Sequence, residues 1–300
     1  MPINDDLGQR MKSYYENVYR FGLTRRTPVA IRIDGKAFHT FTRGFQKPFD
    51  DVLVKSMQET MKYLCENIQG CKLGYTQSDE ITLILTDYNT LTTDAWFGYE
   101  LQKMCSIAAS MATMAFNKYF QEEIRNFRNE HSTFFFDYEW DSEENKKLYS
   151  IYWEAIHKGA MFDARVFNIP KEEVCNLIYW RQLDAIRNSI QMVGQAYFSQ
   201  KELDHKSCKD IQDMLVFGKG IEWSYYPTHL KRGSCCIKSN TTTTYAVEDE
   251  NGNVKTGSTE RPHWEIDKEI PVFKGNDRYY IEKLIYNEGE LKDVQPIIIN

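Results

Sequence analysis

A chain of 300 residues with 42% hydrophobic side chains, 19 Tyr and 17 Phe can bury a substantial core as one large domain or two small ones, which excludes disorder over most of its length. Its net charge of −6 counts mildly against a nucleic-acid partner, although a local basic stripe is compatible with an acidic total. There is no run of about 18 apolar residues, and the start Met1-Pro2-Ile3-Asn4-Asp5-Asp6 lacks a basic-then-apolar pattern, so the expectation is a soluble, cytoplasmic chain with no membrane partner.

Val29, Ile31 and Ile33 alternate with Ala30, Arg32 and Asp34, the period of two of a strand that ends in a carboxylate. After Lys47-Pro48, Asp50 is placed as a helix N-cap, and Leu53, Met57, Met61, Leu64, Cys65 and Ile68 follow at helical spacing. Segments 72–75 and 80–85 read as two strands of a hairpin around Gln77-Ser78-Asp79. Leu101, Met104, Cys105, Ala108, Met111, Ala115 and Phe116 predict a second helix over 96–119. A fourth strand is expected at 162–167, and a third helix over 172–197, just after Pro170. Between the second helix and fourth strand, 121–158 reads as an ordered insertion with an aromatic run, Phe134-Phe135-Phe136, and an acidic stretch, Asp141-Ser142-Glu143-Glu144. Beyond Lys201 strands and loops are expected, with a hairpin turn at Glu250-Asn251-Gly252-Asn253. Seven cysteines, none in a Cys-x-x-Cys pair, fit free thiols in a reducing compartment.

Strand, helix, strand, strand, helix, strand is the βαββαβ order of a ferredoxin-like α+β fold, an antiparallel sheet with helices on one face. Polymerase palms and nucleotidyl cyclases use it, and so do many unrelated proteins. The expected organisation is a palm-type catalytic domain over 1–200, carrying the insertion, with a β-rich C-terminal extension over 201–300 packed on it.

In such a sheet the first strand lies beside the hairpin, which brings Asp34-Gly35 toward Ser78-Asp79-Glu80. Two converging carboxylates and a backbone carbonyl are hard oxygen ligands suited to Mg²⁺. Both segments also suit plain turns, and pattern alone leaves the two uses open. Lys36, Arg43 and Lys47 follow Asp34 closely, while Lys103 and Arg187 sit on the second and third helices. Each is a source of positive charge for phosphate or a solvated surface group. None of the six histidines has metal-site spacing, and Trp180 is expected in the core.

Arg32-Ile33-Asp34-Gly35-Lys36-Ala37-Phe38-His39, Lys47-Pro48 and Gly74-Tyr75-Thr76-Gln77-Ser78-Asp79-Glu80 resemble the signature segments of the tRNA(His) guanylyltransferase family. Trp96-Phe97, Phe162-Asp163-Ala164-Arg165-Val166, Trp180-Arg181-Gln182 and Leu230-Lys231-Arg232-Gly233 recur in the same order. The resemblance implies a 3′-to-5′ polymerase with a palm. Such an enzyme activates a tRNA 5′-monophosphate with ATP or GTP and then lets the 3′-hydroxyl of an incoming nucleotide attack it. It implies two Mg²⁺ ions held by Asp34, the carbonyl of Gly35 and Asp79, with Asp34 and Asp79 as the catalytic pair. It further implies nucleotide binding by Asp34, Gly35, Lys36, Ala37, Phe38 and His39, with Lys47, Ser78, Asp79, Lys103 and Asn188. A homotetramer is also implied.

Two departures bear on the substrate. Members that recognise tRNA(His) carry His-Ile-Asn-Asn where this chain reads Ile186-Arg187-Asn188-Ser189, and Phe49 replaces an asparagine after Lys-Pro. The run Asp184-Ala185-Ile186-Arg187-Asn188-Ser189 is more similar to the family's like-protein branch, associated with template-dependent repair of truncated tRNA 5′ ends. Lys231 and Arg232, with Lys206 and Lys209, suit contact with tRNA backbone or a solvated surface equally. A nucleotidyl cyclase and a catalytically silent RNA-binding module are the competing readings. The Trp-Arg-Gln and Leu-Lys-Arg-Gly segments count against the first, and intact Asp34 and Asp79 against the second.

Overall fold

The computed structural model describes residues 6–134, 138–248 and 254–286. A short helix α1 (Asp6–Met11) precedes β1 (Val29–Gly35) and the one-turn helix α2 (Phe38–Phe41). Next come α3 (Asp51–Asn67) and the hairpin of β2 (Cys71–Gln77) and β3 (Glu80–Leu85). Then follow α4 (Leu101–His131), a small hairpin of β4 (Ser132–Phe134) and β5 (Tyr138–Trp140), and α5 (Glu143–Lys158). β6 (Phe162–Asn168) leads to the long α6 (Lys171–Tyr197). The last third holds α7 (Gln200–Leu203), α8 (Cys208–Lys219), α9 (Thr228–Arg232), the long β7 (Ser234–Glu248) and β8 (Val254–Asp267), and α10 (Tyr279–Ile285).

One six-stranded sheet runs β6-β1-β3-β2-β7-β8, with every neighbouring pair antiparallel. The chain is therefore a mixed fold of helices and an antiparallel sheet. β1 is central because its two faces are both apolar at one end: Val29, Ile31 and Ile33 enter one core, and Ala30 the other. The first core takes Met57, Met61 and Leu64 of α3, and Met104, Ala108 and Phe116 of α4. Val174, Cys175 and Ile178 of α6 and Ile281 and Ile285 of α10 build the second. Helices thus cover both faces of the sheet, not the single face expected. The reason lies in sequence beyond the βαββαβ unit: α6 and α10 present apolar stripes that need a partner.

Local chemistry explains most boundaries. Asp50 accepts a hydrogen bond from the Leu53 amide at 2.9 Å and starts α3 as an N-cap. The expected helix over 96–119 is instead a 3₁₀ turn at 96–99 followed by α4, because Phe97 and Gly98 take positive φ and break the helical path. α4 then runs to His131, well into the insertion, and α5 buries Tyr152 and Ala155 against the first core. The region after 201 is not only strands and loops, since α7, α8, α9 and α10 occupy much of it. Ser207 and Asp210 form a capping box at the start of α8, a signal present in the sequence. Phe135, Phe136 and the turn at 250–253 lie outside the described residues, while the flanking strands pair from Glu248 with Val254 to Cys235 with Asp267. All seven cysteines are free, and among the described residues no helix is long and apolar enough to cross a membrane.

Candidate active site

The end of β1 meets the β2–β3 turn because β3 pairs beside β1, with Asp34 opposite Glu80 in register. The Gly35 amide donates to the Asp79 carbonyl at 3.1 Å, so the two stretches are joined at the backbone. Ser78 sits in the turn at φ 50, and its hydroxyl donates to Asp79 Oδ1 at 3.1 Å. Burial raises the pKa of Asp79, and the carboxylate of Asp34 raises it further, against hydrogen bonds from its own amide and Ser78.

The loop after β1 is fixed by an aromatic anchor. Phe38 is buried with ring centroids 5.1 Å from Phe41, 5.5 Å from Phe116 and 5.1 Å from Phe162. A side chain at Gly35 would put its Cβ 2.2 Å from the Phe38 ring, so glycine is required for the close approach. Ala37 adopts φ 54, a left-handed conformation that the Phe38 anchor holds in place. Lys36 closes the loop through its amide, which donates to the Met161 carbonyl at 2.8 Å.

These parts frame a cleft of about 540 Å³. Asp34, Gly35, Ala37, Phe38, His39, Lys47, Ser78 and Asp79 line it, and Phe45, Leu53 and Met192 give it apolar wall. A smaller hollow adjoins it, with Asp50, Leu53, Ser78 and Met192 lining both spaces. Asn188 lines the hollow, and its amide donates to Asp184 at 3.3 Å. His229 lines it too, its pKa held below the ordinary value first by burial and then by Lys268.

Several expected participants are placed elsewhere. Lys103 is not in the cleft: its ammonium lies 5.1 Å from the Phe97 ring centroid. α4 reaches the site end of β6 only at Thr113, whose hydroxyl accepts from the Phe162 amide at 3.2 Å, and ten residues of helix separate the two by about 15 Å. The Lys36 and Arg43 side chains are exposed and do not line the cleft. Arg187 is exposed and pairs with Asp184, the carboxylate that Arg181 also holds. Lys231 donates to the Ser224 carbonyl and Arg232 to that of Ile270, while Lys206 and Lys209 are exposed. Trp180 is not a core residue, being 52% exposed with the guanidinium groups of Arg32 and Arg181 at 5.4 and 4.5 Å from its ring centroid.

One arrangement was missed in the sequence. Glu80, buried directly after Asp79, binds Arg32 through Oε2 at 2.9 Å and Arg181 through Oε1 at 2.6 Å. Arg181, also buried, reaches Asp184 at 2.9 Å. Arg32 shares the alternation face of Asp34, which was a usable signal. The partner on α6 was not legible, being 101 residues from Glu80.

Among the described residues no three His, Cys, Asp or Glu side chains gather as a metal cage. Two carboxylates with a carbonyl are nevertheless a donor set that fits Mg²⁺, which keeps waters and takes phosphate oxygens for the rest of its shell. The cleft thus sets two acidic side chains, Asp34 and Asp79, and one basic side chain, Lys47, around a space of about 540 Å³.

The family model described as tRNAHis guanylyltransferase matches residues 8–170. An uncharacterised protein of Acanthamoeba polyphaga mimivirus is 30% identical over 244 residues, spanning 77% of this chain and 76% of that one. The tRNA(His) guanylyltransferase of Schizosaccharomyces pombe is 23% identical, spanning 80% of this chain and 84% of its own. Among solved structures, a bacterial tRNA(His) guanylyltransferase-like protein in complex with ATP has a TM-score of 0.71 at 40% identity, over 93% of this chain and 99% of that one. The same type of protein in complex with GTP gives 0.69 at 38% identity, over 94% and 100% of the two chains. The Saccharomyces cerevisiae tRNA(His) guanylyltransferase, at 20% identity and a TM-score of 0.55 over 74% and 90%, shares the fold. A carboxylate-bearing cleft on this sheet, with that kinship, defines a nucleotidyltransferase. The chain belongs to the tRNA(His) guanylyltransferase family.

Proposed function

We propose that this chain adds nucleotides to the 5′ end of tRNA in the 3′-to-5′ direction, repairing truncated ends against the opposite strand. The observation that carries the reading is the junction of Asp34 and Asp79 at the mouth of the cleft, tied by the bond from Gly35 to Asp79. The order β6-β1-β3-β2 supports a ferredoxin-like, polymerase-type palm within 1–200, and β7 adds the 201–300 extension to its edge. We assign that extension to tRNA contact.

In this reading ATP or GTP activates the tRNA 5′-phosphate with loss of pyrophosphate. The 3′-hydroxyl of an incoming GTP or other triphosphate then displaces the activating nucleotide. Asp34 and Asp79 would hold the cations that take the phosphate oxygens, Lys47 offsets triphosphate charge, and the Gly35–His39 loop fixes the nucleotide against the Phe38 anchor. Two Mg²⁺ ions held by Asp34, Asp79 and the Gly35 carbonyl would supply Lewis-acid stabilisation of the attacking and leaving oxygens. The assembly is a cytoplasmic homotetramer.

Repair is preferred over G addition for two reasons. The His-Ile-Asn-Asn segment is absent from α6, and identity is 40% to the like-protein against 20–24% to tRNA(His) guanylyltransferases. The description of the family model favours the second reading, a single G placed before the first nucleotide of tRNA(His). Incubating the protein with 5′-truncated tRNAs, Mg²⁺ and labelled nucleotides separates them. Additions dictated by the opposite strand support repair, whereas a lone G on tRNA(His) whatever stands opposite would overturn it.

A further inference from the structure

Asp79 and Glu80 are adjacent carboxylates, yet they face different surroundings. Asp79 lines the cleft, while Glu80 is 4% exposed and both its oxygens are occupied by guanidinium groups. Glu80 is therefore not free to reach a cation in the cleft. Its two partners come from different elements: Arg32 from β1, two residues before Asp34, and Arg181 from α6. Arg181 is in turn held by Asp184 on the next turn of α6, and Asp184 also accepts from Asn188, which lines the hollow beside the cleft. A rigid chain of charge-assisted hydrogen bonds thus runs from the wall of the hollow to the residue following Asp79.

We propose that Arg181 is a positioning residue: by clamping Glu80, it fixes the β2–β3 turn so that Asp79 is presented to a divalent cation alongside Asp34. The inference rests on the cation-dependent reading above and deepens it by naming the group that builds the site from behind. The two-residue turn is tied on both sides. The Gly35 amide holds the Asp79 carbonyl, the Glu80 clamp fixes the residue that follows, and Ser78, exposed at φ 50, donates to the Asp79 carboxylate. Arg32 by itself fixes one Glu80 oxygen and leaves rotation about the side chain open. Arg181 closes that freedom at 2.6 Å. A lysine would keep the charge and lose the fork that reaches Glu80 and Asp184 together.

The test is Mn²⁺ binding to the full chain, followed by electron paramagnetic resonance, with thermal unfolding measured on the same samples. Arg181→Met should weaken Mn²⁺ binding about tenfold or more, and Arg181→Lys should recover part of it. Because removing one member of a buried pair threatens the fold, the deciding variant is Arg181→Met combined with Glu80→Met. The double variant removes both ends of the buried 2.6 Å pair together, leaving Arg32 over the Trp180 ring and Asp184 with Arg187 as partner. A double variant with native unfolding temperature and weakened Mn²⁺ binding supports positioning. Wild-type Mn²⁺ affinity in that folded double variant would overturn it, and so would a wild-type chain that binds no Mn²⁺. Normal Mn²⁺ behaviour in all variants without any nucleotide addition to tRNA would instead remove the proposed function, so the two failures are distinguishable.

Discussion

The amide of Gly35 donates to the carbonyl of Asp79, and through that 3.1 Å contact the end of β1 and the β2–β3 turn act as one unit. Asp34 lies near the end of β1 and Asp79 in the turn before β3, 45 positions apart, and this bond joins their backbones. Substituting Asp34→Ala should therefore remove an oxygen donor without disturbing the frame. Nucleotide addition is expected to fall by about 10³-fold or more, with tRNA affinity changed less than about twofold. Unaltered turnover in that variant would remove Asp34 from the mechanism.

Gly35→Ala tests the frame itself. The new methyl group would sit 2.2 Å from the Phe38 ring, and that ring is wedged among Phe41, Phe116 and Phe162. Relief requires moving either the anchor or the loop, at a cost of about 1–3 kcal/mol. Chemical denaturation measures the loss, and nucleotide addition should fall with it because the same loop lines the cleft. An alanine variant as stable as the parent would show that the ring is not fixed as described.

The insertion over 121–158 reaches the same site from outside. Tyr152 of α5 donates to Asp50 Oδ2 at 2.6 Å in a buried setting, and Asp50 both caps α3 and lines the cleft. Burial raises the pKa of Asp50 in spite of its bonds to Tyr152, Leu53 and Gln46, so each bond matters to a poorly solvated carboxylate. Tyr152→Phe should cost about 1.5–3 kcal/mol, the range for a hydrogen bond to a charged group. Urea midpoints for the two proteins decide it, and identical midpoints would mean that α5 contributes nothing through Asp50.

Lysine placement gives a paired prediction. Lys47 lines the cleft, whereas Lys103 lies over Phe97 at the far end of α4. Lys47→Ala should weaken GTP or ATP binding to the single chain by roughly tenfold, as expected for loss of a charge-assisted phosphate contact. Lys103→Ala should change it less than about twofold. Calorimetric titration of both variants checks the pair, and the opposite ranking would refute the placement.

His229 carries a pH consequence. Its pKa is lowered by burial and by Lys268, so the folded state binds a proton less readily than the unfolded chain. The stability it contributes is complete above the ordinary histidine pKa and is lost as pH falls toward the depressed folded value. His229→Phe removes the titration and keeps a ring in the hollow. Between pH 7 and pH 5 the unfolding temperature of the parent should drop more than that of the variant, and parallel curves would contradict the assignment.

Much of this was legible in order of appearance along the chain. Alternation in 29–34, the Asp50 cap and the spacing of Met57, Met61 and Leu64 each depend on residues within one or two turns, so they were readable without a partner in view. The residues at the end of β1 and in the hairpin turn were not assigned that way: pattern left them open between turn and ligand, and only the family resemblance singled them out. α10 and the second covered face were not readable, because a stripe on a late helix does not say which sheet face it will meet.

What the amino-acid order determined by itself was the succession β1, α3, β2, β3, α4, β6 and α6 and the chemistry available at their ends, since periodicity, capping and turn propensity are local. Tertiary structure alone decided which charges count. Register put Glu80 beside Asp34, α6 brought Arg181 across 101 positions to hold it, and the fold set the Lys103 ammonium over the Phe97 ring. Each outcome follows from packing two faces of one sheet at once, a condition that no short stretch of sequence encodes.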